Sequence, residues 1–252
     1  MTGMTVEPAP GERTEQPVSD EPSQRPATGT TGTTGKGEET RNRIVETALR
    51  LFEERGYEKT TMRAVAQEAG VSLGNAYYYF GSKDELVQGF YDRMQVAHAR
   101  AAAEEMRGVT ALGERLLRAE EAFLVEARRY HPFAGKLFAA AADPQSALSP
   151  FSEASVAARE SAVQIFRDVV SGAEVKADAR VLAELPELLW LAHMGLVLFW
   201  VHDRSDRQRR TALLVRRSVP MIDRLVRLSR LRPLRPVAHE VLDLARDLRS
   251  PL

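Results

Sequence analysis

The sequence predicts an all-α protein, and three observations carry that prediction. From Thr40 onward apolar residues recur at three- and four-residue spacing, Ser, Thr and Gly stand where helices would start and stop, and no run alternates as a half-buried strand would. The chain of 252 residues, 44% of them apolar, is long enough to bury a sizeable core in one large domain or two modest ones.

Met1 to Glu38 is rich in Pro, Gly, Thr, Ser and Glu and includes the run TGTTGTTGKG from Thr28 to Gly37. With few apolar groups to offset the entropy of ordering, residues 1–38 read as a disordered arm. Acidic residues outnumber basic ones there, which argues against a minor-groove DNA contact.

The first helix places Ile44, Val45, Ala48, Leu49 and Phe52 on one face, with Thr40 as its expected cap and Gly56 as its left-handed end. Two short helices follow, from Met62 to Ala69 and, capped by Ser72, from there through Tyr79 or Phe80, with Gly70 between them. Ser82 and Glu85 have capping-box spacing, so a longer helix is expected from Lys83 to about Met106.

Further on, Ala111 to Tyr130 carries Leu116, Phe123 and Ala127 on one side, and Pro132 opens a short helix that ends before Pro144. Pro150, after the candidate cap Ser149, opens another with Phe151, Ala154, Ala158, Ala162, Ile165 and Val169 in phase, stopped by Gly172. Two long helices come next. One includes Val181 to Val201, with Pro186 as a kink or as the true start; the other begins after Ser205, in capping-box spacing with Gln208, and bends at Pro220. Val237, Val241, Leu244 and Leu248 then fit a final short amphipathic helix.

Composition narrows the function. No cysteine means no disulfide framework, thiol nucleophile or zinc-thiolate site, which fits a reducing, cytoplasmic setting. No basic flank precedes an apolar stretch near the start, so no secretion signal is read. The apolar run Leu188 to Val201 is shorter than the roughly 18–20 residues of a membrane span and suits a buried helix. Histidines 98, 131, 193, 202 and 239 include no i, i+4 pair, so no metal site is expected; no nucleophile–base arrangement or phosphate loop marks an enzyme, and no cofactor is implied.

The segment VSLGNAYYYFGSKDEL is the informative one. Three successive side chains on a helix fan through roughly 200°, so Tyr77, Tyr78 and Tyr79 cannot all enter one core. A tyrosine ring can lie along sugar and thymine methyl edges while its hydroxyl donates to phosphate. Ala66 suits the crossing of two short helices, Gly70 the turn, and Val65, Val71, Ala76 and Phe80 the packing of a helix-turn-helix.

The stretch TTMRAVAQEAGVSLGNAYYYFGSKDEL resembles the DNA-binding unit of the TetR family of bacterial transcriptional regulators, whose pattern is a helix, a G-V-S type turn, a Y-Y/H-F run and then S-K-E-L. That resemblance implies phosphate or outer-base contacts from Thr60, Thr61 and Arg63, a reading surface of Ser72, Leu73, Gly74, Asn75 and Tyr77, and backbone contacts from Tyr78, Tyr79 and Lys83. Asn75 stands where the family often has a small hydroxyl residue, and Tyr79 where it often has His. The base preference of a relative therefore does not transfer.

It further implies an organisation of residues 39–86 as DNA-binding domain, 87–232 as effector-binding and dimerisation domain, and 233–252 as a tail with a possible short helix. The expected partners are double-stranded DNA bearing a palindromic operator, a second copy of the chain, and a small effector; no membrane partner is expected. Phe123, Phe133, Phe138, Phe166, Trp190, His193 and Met194 are candidate effector contacts, although aromatic residues at helical spacing are more often plain core. The function this implies is a dimeric repressor released by its effector. An effector-independent regulator or activator, and a helical scaffold binding protein through the tyrosines, stand as alternatives. The formal net charge of +0 lends DNA binding no support, but between Thr60 and Lys83 only Glu68 opposes Arg63 and Lys83.

Overall fold

A computed structural model describes residues 1–3, 31–143 and 145–247. Among the described residues there are ten α-helices and no strands: α1 (Thr31–Arg55), α2 (Met62–Glu68), α3 (Leu73–Tyr79), α4 (Lys83–Glu105), α5 (Leu112–Ala127), α6 (His131–Ala141), α7 (Val156–Ser171), α8 (Ala179–His202), α9 (Arg209–Leu228) and α10 (Arg235–Asp247).

The starts and stops follow local chemistry. Gly56 ends α1 with φ +86°, and Ser82 caps α4, its Oγ accepting from Glu85 N at 3.1 Å, while Glu85 Oε2 reaches one residue past the expected box partner and accepts from Gly81 N at 2.8 Å. α8 starts at the Asp178 cap, whose carboxylate accepts from the Arg180 and Val181 amides, and it carries Pro186 inside.

Three boundaries differ from the sequence reading. α1 begins at Thr31, and Thr40 is interior, its hydroxyl donating to Lys36 O at 2.9 Å. No proline interrupts residues 31–39, and each added residue of an existing helix gains a hydrogen bond. Residues 4–30 of the expected arm, and Leu248 of the last stripe, lie outside the described residues. α7 begins at Val156 instead of Pro150, because Arg159 Nη1 draws the carbonyls of Pro150 and Ser152 out of helical register at 2.8 and 3.4 Å. The Ser205–Gln208 box does not form; Asp203 caps α9 instead, accepting from both the amide and the hydroxyl of Thr211 at 2.8 Å.

Two apolar cores share α4. Ile44, Leu51 and Phe52 of α1, Val65 of α2, Ala76 of α3 and Leu86, Phe90 and Met94 of α4 pack with Phe123, Phe133, Leu137 and Trp200 in one. Ala102 and Met106 at the far end of α4 join Leu116, Phe166, Val169, Leu189, Trp190 and Val219 in the other. The first core therefore crosses the expected division at residue 86.

α8 is 24 residues long, and among the described residues it is the one helix long and apolar enough to cross a membrane. One side of it packs into the bundle, with α6, α7, α9 and α10 against it and Val181, Leu185, Leu189, Trp190, Leu196 and Trp200 buried. Within the described residues of the tail, α10 lies on α8 with Leu242 buried, and Arg235 and His239 reach Asp178 at 3.5 and 3.1 Å.

Candidate nucleic-acid interface and ligand cavity

α2 and α3 form a helix-turn-helix. Thr61 caps α2 by accepting from Ala64 N at 3.2 Å, and Ser72 caps α3 by accepting from Asn75 N at 3.1 Å. Gly70 turns the chain at φ +67°, a conformation that strains any residue with a Cβ, and the Val71 amide returns to Ala66 O at 3.0 Å. Ala66 is buried where the helices cross, and Val65, Ala76 and Phe80 are buried against α1 and α4.

Phe80 needs its partner helix to come close. A Cβ on Gly89 of α4 would stand 2.7 Å from Phe80 Cε1, so only glycine seats that ring without displacement.

With Ala76 and Phe80 inside, the opposite side of α3 faces solvent. Tyr78 is 81% and Tyr77 49% exposed, Gly74 and Asn75 are exposed beside them, and an added Cβ on Gly74 would meet nothing within 4 Å. Tyr79 and Leu73 are half-buried; the Tyr79 ring meets Tyr78 edge-on at 5.2 Å. Arg63 is exposed on α2. Glu68 is held by Arg50 at 2.9 Å and Arg55 at 3.6 Å, so its charge is compensated from α1.

Two residues expected on this surface are engaged within the fold. Thr60 is 1% exposed, with its hydroxyl donating to Gly56 O at 2.9 Å and Leu51 O at 3.2 Å, so it closes the corner between α1 and α2 and cannot meet a phosphate. Lys83 Nζ donates to Tyr57 O at 2.9 Å and lies 4.4 Å from the Tyr57 ring centre. The Tyr57 hydroxyl in turn donates to Asp84, and burial together with that carboxylate pushes its phenol up. Lys83 thus ties α4 to the α1–α2 corner and offers DNA only what that tie leaves over.

The second feature is a cavity of ≈ 460 Å³ between α4, α5, α6, α7 and α8, within the range of small-molecule sites. Six of the seven candidate effector contacts line it: Phe123, Phe133, Phe138, Trp190, His193 and Met194. Phe166 does not. It is fully buried in the second core, its ring 5.5 Å from that of His193, and so supports the wall from behind.

Polar groups are few in this wall. His193 Nδ1 lies 2.8 Å from Glu120 Oε2, and its ring stacks on His98 at 5.7 Å. His98 faces Ala119 O through Nε2 at 2.9 Å, which makes Nε2 the protonated nitrogen, and burial followed by His193 lowers its pKa to about 4. Gln95 and Arg159 also line the cavity. None of Glu120, His98, Gln95 or Arg159 was singled out by sequence reading. A signal existed for two of them: Glu120 stands on the stripe of Leu116 and Phe123, and His98 on that of Met94 and Ala102, where an apolar residue is expected.

A helix-turn-helix with an exposed aromatic face, mounted on a helical body that holds an apolar cavity, is the architecture of a one-component transcriptional regulator. The chain belongs to the TetR family. The family model described as "Tetracyclin repressor-like, C-terminal domain" matches residues 115–247, and that described as "Bacterial regulatory proteins, tetR family" matches residues 44–89.

Among curated relatives, the regulator TtgR of Pseudomonas putida is 41% identical over 73 residues, covering 28% of this chain and 35% of its own length. The repressor KstR2 of Rhodococcus jostii is 39% identical over 71 residues, covering 27% and 33%. These matches thus span about a third of each relative. Solved TetR-family structures share the fold: one from Nitrosomonas europaea has a TM-score of 0.56 at 19% identity, covering 73% of this chain and 97% of that one. Another, from Streptomyces coelicolor, has a TM-score of 0.51 at 21% identity over 83% and 98%.

Proposed function

We propose that the chain is a cytoplasmic, dimeric repressor that binds a palindromic operator through α3 and is released when a small molecule fills the cavity. The observation that carries the reading is the division of α3 into a buried side, Ala76, and an exposed side, Asn75, Tyr77 and Tyr78. Asn75 and Tyr77, with Ser72 and Gly74, enter the major groove; Tyr78 and Tyr79, with Thr61 and Arg63 from α2, position the protein on phosphates. In this reading residues 39–86 read DNA, and residues 87–232 bind effector and pair the subunits.

Pairing is supported by apolar side chains left uncovered on α8 and α9: Leu198 and Phe199 on the first, Leu214, Met221 and Leu225 on the second. A second copy packed there would cover both rows and set two α3 helices on one duplex. Release requires the effector to favour a geometry in which those helices no longer match the operator spacing.

The test is selection of bound duplexes from a random library, with an Asn75→Ala, Tyr77→Ala double variant beside the native chain. A palindrome enriched by the native chain and lost by the variant supports the reading. A folded dimer that enriches nothing, with or without small-molecule extracts present, overturns it.

A further inference from the structure

The wall of the cavity carries little charge and little unmet polarity, and both are concentrated on α4 and α7, which pack against each other. Arg159 on α7 is the one formally charged side chain lining the cavity among the described residues. Its Nη1 is committed to the carbonyls of Pro150 and Ser152 at 2.8 and 3.4 Å. That anchorage fixes the plane of the guanidinium, while Nε and Nη2 have no hydrogen bond and no carboxylate forms an ion pair with Arg159 among the described residues. Half of a rigid, fork-shaped donor thus remains uncommitted beside an apolar space.

Gln95 on α4 is the second such group. Its Oε1 is buried with no hydrogen-bond partner, a condition that costs about 1–3 kcal/mol when nothing relieves it. A primary amide can turn to present either its acceptor or its Nε2 donors. The other polar groups of the wall are engaged: His193 with Glu120 at 2.8 Å, Ser155 with Gln88 at 3.0 Å, the Tyr130 hydroxyl with Arg93 at 3.2 Å, the Tyr91 hydroxyl with Leu148 O at 3.5 Å, and Ser149 Oγ with the Phe151 amide at 3.3 Å. The remainder is aromatic and aliphatic, including Phe90, Phe123, Phe133, Phe138 and both tryptophans, Trp190 and Trp200.

We infer that the cavity takes an anionic amphiphile, a carboxylic acid with a medium-length apolar body, whose body lies among the aromatic rings and whose carboxylate accepts hydrogen bonds from Arg159 and from the turned amide of Gln95. This rests on reading the cavity as an effector site. An organic cation is disfavoured, since no acidic side chain lines the cavity among the described residues and Arg159 would repel it.

Trp190 and Trp200 are the chain's two tryptophans, so intrinsic fluorescence of the full-length protein reports occupancy directly. Decanoate and decanol are titrated at pH 8, below the concentrations at which they self-associate, against the native chain and the Arg159→Gln and Gln95→Leu variants. The expected result is decanoate binding about tenfold or more tighter than decanol, the ratio that one charge-assisted hydrogen bond supplies. Arg159→Gln should lower decanoate affinity at least tenfold and leave decanol within twofold, and shortening the acid should weaken it about fourfold per methylene.

If Arg159 only tethers the loop before α7, its replacement lowers both affinities together, and the inference is overturned. If decanol binds the native chain as tightly as decanoate, the cavity is a ligand site for neutral molecules and the anionic assignment falls alone. If neither binds, the effector reading of the cavity falls with it. Gln95→Leu separates the two head contacts: a decanoate affinity unchanged or raised removes Gln95 from the site, and a loss of about fivefold keeps it.

Discussion

Nδ1 of His193 on α8 and Oε2 of Glu120 on α5 are 2.8 Å apart, and both side chains are buried beside the cavity. The pair joins two helices, each of which contributes to both cores, by one polar contact in a largely apolar setting, where a partner's loss is felt in full. Replacing Glu120 by Leu leaves the His193 nitrogen without its acceptor and is expected to cost about 1–3 kcal/mol. Glu120→Gln keeps an acceptor oxygen and should cost less. Urea midpoints of the two variants and the native chain measure the order.

His98 makes stability depend on acid. Its folded pKa is lowered to about 4, against 6.5 for an unperturbed imidazole, so between those values the unfolded chain binds more protons than the folded one. Stability from this group is complete above pH 6.5 and is lost as pH falls toward 4, by up to about 3 kcal/mol. Unfolding curves collected across that window should show the decline, and a His98→Leu variant should show a shallower one whatever its own stability.

Thr60 and Thr61 should respond differently although they are neighbours. Thr60→Val removes a buried hydroxyl that serves two carbonyls and is expected to lower stability by about 1–2 kcal/mol. Thr61→Ala removes the α2 cap, at about 1 kcal/mol, and in addition weakens operator binding if its exposed position meets phosphate. Thermal melts with operator titrations beside them distinguish a folding residue from a contact residue.

The tyrosines divide by the exposed arc of α3. Tyr77→Ala should relax sequence preference, with a loss on the preferred site of about 1–3 kcal/mol. Tyr78→Ala, at the most exposed ring, should weaken binding about equally on all sequences. Salt dependence is expected to be modest, about 0.9 in log affinity per phosphate neutralised, because Arg63 is the cation left uncommitted on this face by Lys83's tie to Tyr57.

Gly70, Ser72, Ala76 and Phe80 were legible because a helix-turn-helix is built from local chemistry: a turn that needs glycine, a cap, and small or apolar residues at one spacing. Thr60 was not, since two adjacent threonines before Met62 look alike as caps and only the fold of α1 over the corner decides which is enclosed. Periodicity placed Phe166 and Phe123 equally on inward faces; which one meets the cavity depends on the depth of α7 against α8, a tertiary fact. Arg159 was invisible for a related reason. Its anchorage to Pro150 and Ser152 delays the start of α7, and a sequence pattern that runs the helix from Pro150 puts that side chain on an ordinary surface turn.

α4 runs as one helix of 23 residues, about 34 Å, from the Lys83 tie at the helix-turn-helix corner, past Phe90, Met94 and Gln95 in the cavity wall, to Met106 in the far core. Under the proposed function it would work as a lever, with the cavity wall near its middle as the pivot. Between Gln95 and Lys83 lie about 18 Å of helix, so a tilt of about 5° at the cavity would carry the corner by about 1.5 Å in one subunit and by about twice that between the two of the proposed dimer. Under the proposed function, displacement would be magnified with distance from the cavity, and the stiffness of this single rod would set how much of a ligand's push arrives at the DNA.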